Sequence, residues 1–214
     1  MTDKPLSGRK AQAARNDKLI LEAAHEVFVA NPDAPIAEVA KRAGVGISAL
    51  YRRYPSKEDL LRKLCGDGLA KHVELVQDAV DSEGDLWEAF CRFMRQVVAA
   101  DTASITVKLA GTFTPTPDMF GAGAAAAELN DVLMRKLHDA GVIRDDAKIG
   151  DVIMITESLA SIDIGDTERT REVRLRSLEL YLQALRAPGA GPLPGTPPTE
   201  EEMNARWIPK DAKA

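Results

Sequence analysis

Apolar residues recur at helical spacing from Ile20 to Leu185, and no alternating run bounded by turn residues is long enough to read as a strand. A chain patterned this way folds as packed helices. Ile20, Ala24, Val27 and Phe28 fall on one stripe, which Asn31-Pro32 ends. Ile36, Val39, Ala40 and Ala43 repeat the stripe on a shorter helix closed by Gly44. A third short helix runs from about Ile47 to Tyr54 and stops at Pro55. Ser56 and Asp59 form a capping box for a fourth, which fades near Ser82; Gly66 and Gly68 are its candidate flexing points. Further helices are predicted at roughly 85–100, 102–113, 119–140, 146–163 and 167–186. Aromatic residues are only 5% of the chain, so Ala, Leu, Val and Ile must build most of the core.

This divides the chain into four parts: a flexible basic arm (1–15), a three-helix helix-turn-helix head (16–55), a helical regulatory and dimerisation bundle (56–186), and a Pro/Gly-rich flexible tail (187–214). Trp207 and Ile208 are the tail residues suited to docking on the bundle. The net charge of −5 argues against a nucleic-acid partner, but its distribution argues for one. Up to Lys63 there are 12 Lys and Arg against 8 Asp and Glu, and beyond it 16 against 25. A basic head on an acidic body suits a partner that is anionic and touches one end.

Two short helices around Ala43-Gly44-Val45-Gly46 outline the motif. Ala40 and Ala43 supply the small side chains where the helices cross. On the second helix Leu50 and Tyr54 face inward, leaving Ile47, Ser48, Ala49, Arg52 and Arg53 free to enter a major groove. Arginines suit guanine edges, and Ile47 and Ala49 suit thymine methyls. Tyr51 and Lys57 are placed for backbone phosphates, and Arg9 and Lys10 of the arm for a phosphate or the minor groove.

The stretch GVGISALYRRYPSKEDLL resembles the recognition helix of the TetR family, and NDKLILEAAHEVFVAN is similar to that family's first helix, over roughly residues 15–62. Pro35 departs from the pattern, standing where many relatives carry a Thr that caps the second helix and touches a phosphate. The resemblance implies an all-α protein with a variable C-terminal bundle that binds a small-molecule effector. It also implies a homodimer formed through the last two helices, and a repressor that leaves a pseudo-palindromic double-stranded operator when ligand binds.

In the body, Thr106, Thr112, Phe113 and Phe120 mix polar and apolar groups as a ligand pocket does. Trp87, Phe90 and Met94 recur on one face and read as core, pocket wall or both. Ile155 and Leu159, with Val173, Leu178, Tyr181 and Leu182, belong to two helices apolar on more than one face. One face suits the chain's own core and another a symmetry mate.

His25, His72 and His138 form no i, i+4 pair, which argues against a metal, and no cofactor is expected. Cys65 and Cys91 read as buried apolar residues of a reducing cytoplasm. No run approaches the roughly 18 apolar residues of a membrane span. Clustered carboxylates, a nucleophile motif and a Gly-rich phosphate loop are all missing, so the chain reads as a regulator and not an enzyme. The alternatives are a constitutive DNA-binding protein without ligand, an interaction protein with a degenerate head, and, remotely, an enzyme with a helical catalytic bundle.

Overall fold

Ala, Leu, Arg and Lys dominate the stretch from Gly8 to Ala30 without a breaker, and it forms one helix, α1 (Gly8–Ala30). The structure, a computed structural model, describes residues 8–189 and 191–208, apart from the side chains of residues 9–11 and 106. The arm expected over residues 1–15 is thus shortened. Residues 8–15 are helical, and Gln12 Nε2 donates to Asn16 Oδ1 one turn on, at 2.8 Å. Residues 1–7 lie outside the described residues.

The helices group into two units, one running to Cys65 and the other beginning at Gly66. The first holds α1, α2 (Ile36–Ala43), α3 (Ile47–Arg53) and the opening of α4 (Lys57–Val80). Its core is Ile20, Ala23, Ala24 and Phe28 with Val39, Ala40, Leu50, Leu60 and Leu61, all buried. Ala23 takes the place expected for Val27, which is half-buried. The capping box forms as read. Ser56 N donates to Asp59 Oδ2 at 3.1 Å, and Asp59 N to Ser56 Oγ at 3.0 Å.

The second unit is an all-helical bundle of the rest of α4 with α5 (Leu86–Ala100), α6 (Thr102–Leu109), α7 (Pro117–Asp139), α8 (Ile149–Ala160) and α9 (Thr167–Leu185). Three of the starts have a local cause. Asp85 accepts from Trp87 N and Glu88 N, Thr116 from Met119 N ahead of Pro117, and Asp166 from Arg169 N. The core runs through Phe90, Met94, Leu137, Ile143, Leu159 and Leu178. Arg95 pairs with Glu179 through two hydrogen bonds, at 2.7 and 3.0 Å, tying α5 to α9. Helix α4 runs unbroken through Gly66 and Gly68, the candidate flexing points. A Cβ on Gly68 would lie 3.3 Å from Ile105 Cδ1, so this glycine serves the close approach of α6. No helix among the described residues is long and apolar enough to cross a membrane.

Between α4, α5 and α7 sits a polar pair in apolar surroundings. His72 Nε2 lies 3.3 Å from Asn130 Nδ2, and the imidazole meets Phe93 edge-on at 5.7 Å. Burial pushes the His72 pKa below its usual 6.5, only partly opposed by the Asn130 hydrogen bond. A depressed base contributes stability above the unfolded-state pKa and loses it as pH falls through the folded one. The melting temperature of the body is therefore expected to drop on acidification below about pH 6.5, and His72→Gln to flatten that drop. Equal pH dependence in wild type and variant would remove His72 as the cause.

Where the prolines predicted a flexible tail over 187–214, residues 187–189 and 191–208 pack on the body; residues 190 and 209–214 lie outside the described residues. Arg144 donates to Gly191 O, and Asp146 Oδ2 accepts from Leu193 N at 2.7 Å. Pro197 and Pro198 lie on Gly150, where a Cβ would meet Pro198 O at 2.6 Å, so only glycine admits the segment. Thr199 caps α10 (Glu200–Asn204), and a 3-10 turn, Ala205–Trp207, follows. Arg206 then pairs with Glu157 at 2.7 and 2.8 Å, and Trp207 packs edge-on against Phe113. The tail is ordered because α8 and the 110–116 loop carry groups complementary to it.

Candidate nucleic-acid interface

The turn between α2 and α3 is set by its glycines. Gly44 takes the left-handed conformation, φ 66°, and lets Val45 N return to Ala40 O at 3.0 Å. Pro35 precedes the first residue of α2 and offers no side-chain cap, in keeping with the departure noted in the sequence. On α3, Leu50 and Tyr54 are buried as expected, and they anchor the helix. Ile47 and Tyr51, and beside them Ser48 and Arg52, stand one turn apart on the exposed side, with Ala49 half-buried at the edge. These four side chains make a contiguous face on a helix of seven residues, about 10 Å long. A major groove about 12 Å wide admits such a helix.

The basic residues separate into free and engaged. Arg52 makes no ion pair or hydrogen bond with another described residue. Arg53, expected beside it as a base reader, is held by Asp17 of α1: Nε donates to Oδ1 at 2.9 Å and Nη2 to Oδ2 at 3.1 Å. Tyr54 Oη donates to the same Oδ1 at 2.6 Å. The Arg53 hydrogen bonds, aided by Tyr54, hold the Asp17 carboxyl below the usual range despite partial burial. Arg42 is likewise engaged, by Glu26.

Lys57, expected on a phosphate, instead donates to Pro32 O at 2.7 Å and Ala34 O at 2.9 Å, 5.0 Å from the centre of the Phe28 ring. It closes the α1–α2 turn from within, and burial lowers its pKa. The side chains of Arg9 and Lys10 lie outside the described residues.

The expected ligand-binding set does not converge. Trp87, Phe90 and Met94 are buried in the core of the body, so they read as packing. Phe113 is covered by Trp207, Thr112 donates its hydroxyl to Leu109 O on the surface, and Phe120 is 61% exposed. The Thr106 side chain lies outside the described residues. A cavity of about 10 Å³ lies between Val97, Leu159 and Arg174. An open groove of about 380 Å³ runs along Met134, His138 and Ile149. Neither is lined by any of the seven.

The expected dimer set also splits. Leu159, Leu178 and Leu182 are buried in the chain's own core, and Ile155 packs against it. Val173 is half-buried and Tyr181 exposed, while Leu180, missed in the sequence reading, is 64% exposed. Asp17 was missed too. Its signal was an acidic residue one turn before Ile20, at the head of the buried stripe of α1.

Residues 20–64 match the family model described as "Bacterial regulatory proteins, tetR family". The HTH-type transcriptional repressor LfrR of Mycolicibacterium smegmatis is 38% identical over 71 residues, 33% of this chain. That match spans 35% of the repressor's length. The crystal structure of a TetR transcription regulatory protein from Mycobacterium vanbaalenii is 28% identical, with a TM-score of 0.52 over 83% of this chain and 99% of that one. The LfrR crystal structure in complex with proflavine, 21% identical, shares the fold, with a TM-score of 0.56 over 83% of this chain and 99% of that one. With its anchored helix-turn-helix and its all-helical body, the chain is similar to the TetR family of bacterial regulatory proteins, in the sequence of its head and in the fold of most of its length.

Proposed function

We propose that this chain is a sequence-specific DNA-binding transcriptional regulator of the cytoplasm, a repressor that leaves its operator when a small molecule binds the body. One observation carries the DNA reading: the contiguous exposed face of Ile47, Ser48, Tyr51 and Arg52 on a helix held from behind by Leu50 and Tyr54. Arg52 offers a bidentate donor for guanine, Ile47 an apolar contact for a thymine methyl, and Tyr51 a hydroxyl for a phosphate. Repression is supported by the relative named as a repressor, and an effector by that relative's proflavine complex. A homodimer would present two heads to the half-sites of a pseudo-palindrome, set about 34–36 Å apart or at multiples of that. The exposed Leu180 and Tyr181 of α9 are the apolar residues that suit a second copy.

Fluorescence anisotropy on duplexes from the chain's own promoter region tests the reading. Binding is expected to weaken steeply with salt, each neutralised phosphate adding about −0.9 to the slope of log K against log salt. A slope near zero would leave no place for the basic head. An effector found by thermal shift is expected to bind more weakly to the operator complex, by the factor with which it weakens the operator. Equal effector affinity with and without operator would leave a constitutive DNA-binding protein.

A further inference from the structure

Arg53 and Arg52 are neighbours at the end of the recognition helix, yet only Arg53 is held by another helix. A free guanidinium there would attract phosphates of any sequence as readily as the right base, because phosphate contacts carry no sequence information. Asp17 takes up that guanidinium at two points and fixes its plane. The same carboxylate accepts from Tyr54 Oη, on a residue buried at the end of α3. One side chain of α1 thus grips the last two side chains of the reading element.

We propose that Asp17 is a positioning residue that sets sequence specificity. It fixes the end of α3 and withholds Arg53 from DNA phosphates, leaving Arg52 to read. The inference rests on the DNA-binding reading above. A merely structural Asp17 would show at most a small change in melting temperature, since a largely exposed ion pair adds little to stability, and would leave the electrostatics of DNA binding unchanged.

The test uses the full-length protein and two probes: the duplex that wild type enriches from a random-sequence library, and a scrambled duplex of equal length. Asp17→Asn is expected to release Arg53, steepening the salt slope by about 0.9 per head, and to cut the preference for the enriched duplex roughly tenfold. Arg53→Gln alone should keep the wild-type slope, and the double variant should return to it. An unchanged slope and preference in Asp17→Asn would overturn the proposal. So would a flatter slope in Arg53→Gln, which would mean that Arg53 already touches phosphate. If Asp17→Asn does not fold, the Arg53→Gln slope decides by the same criterion. Failure of wild type to enrich any duplex would overturn the DNA-binding reading and this inference together, whereas enrichment with an unmoved slope would overturn the inference alone.

Discussion

Leu178→Glu is expected to unfold the body at ambient temperature, while Leu180→Glu, two residues along the same helix, is expected to leave it folded and to break the proposed dimer. Leu178 is fully buried in the cluster that holds Phe90, Met94 and Leu182. Truncating a buried Leu costs about 2–5 kcal/mol, and a carboxyl in its place adds the burial of a polar or charged group without a partner. Together these rival the roughly 5–15 kcal/mol that holds a typical domain folded. Leu180 is 64% exposed, so a carboxylate there meets water and costs about 0.5 kcal/mol or less. In a dimer built on that face, however, it places like charge opposite like charge. Thermal circular dichroism separates the two variants, and light scattering reads the association state. A dimeric Leu180→Glu would move the interface off this face of α9, and a folded Leu178→Glu with wild-type melting would contradict its burial.

Arg52→Ala is expected to weaken operator binding by about 1–3 kcal/mol and to relax preference at one base pair per half-site. Binding to scrambled DNA should change far less, because the lost contact is to a base edge. Lys57→Ala is expected to behave in the opposite way. Its ammonium donates to two carbonyls of the α1–α2 turn, and charge-assisted bonds of this kind contribute about 1.5–3 kcal/mol each when well sheltered. At a half-buried site a total loss of about 2 kcal/mol is expected, seen as a lower melting temperature of the head. Below that transition, operator affinity should stay near wild type. Anisotropy titrations paired with melts of each variant check both. A Lys57→Ala head that melts normally and loses affinity for every sequence alike would return Lys57 to the phosphate backbone.

The contrast between these residues shows what was legible in the sequence. Local features were readable: Ser56 and Asp59 lie three residues apart and cap α4 as the spacing demands. The inward turn of Leu50 and Tyr54 followed from helical period alone. What the sequence left undecided depends on distant partners. Arg52 and Arg53 are chemically identical neighbours, and only Asp17, 36 residues before Arg53, distinguishes them. Lys57 depends on carbonyls 23 and 25 residues away. In α8 and α9 both helix faces are apolar, so periodicity could not say that Leu159, Leu178 and Leu182 face inward and Leu180 outward. The ligand set was ambiguous for the same reason, since an aromatic on an apolar face satisfies core and pocket patterns equally.

The seating of residues 191–208 bears on how a segment with only one short helix and a single turn can stay in place. Five of the eleven residues from Pro188 to Pro198 are proline. Each arrives with its φ near −65°. Such a stretch samples fewer shapes when loose than one without prolines, so seating it sacrifices less freedom. A handful of fasteners then suffices: Arg144 and Asp146 near its beginning, Glu157 and Phe113 at its far end. A glycine-serine ribbon of equal length, given the same fasteners, would spend far more of its time adrift. The prolines that look like a mark of slackness thus favour a seated stretch, offsetting the freedom of the three glycines between them.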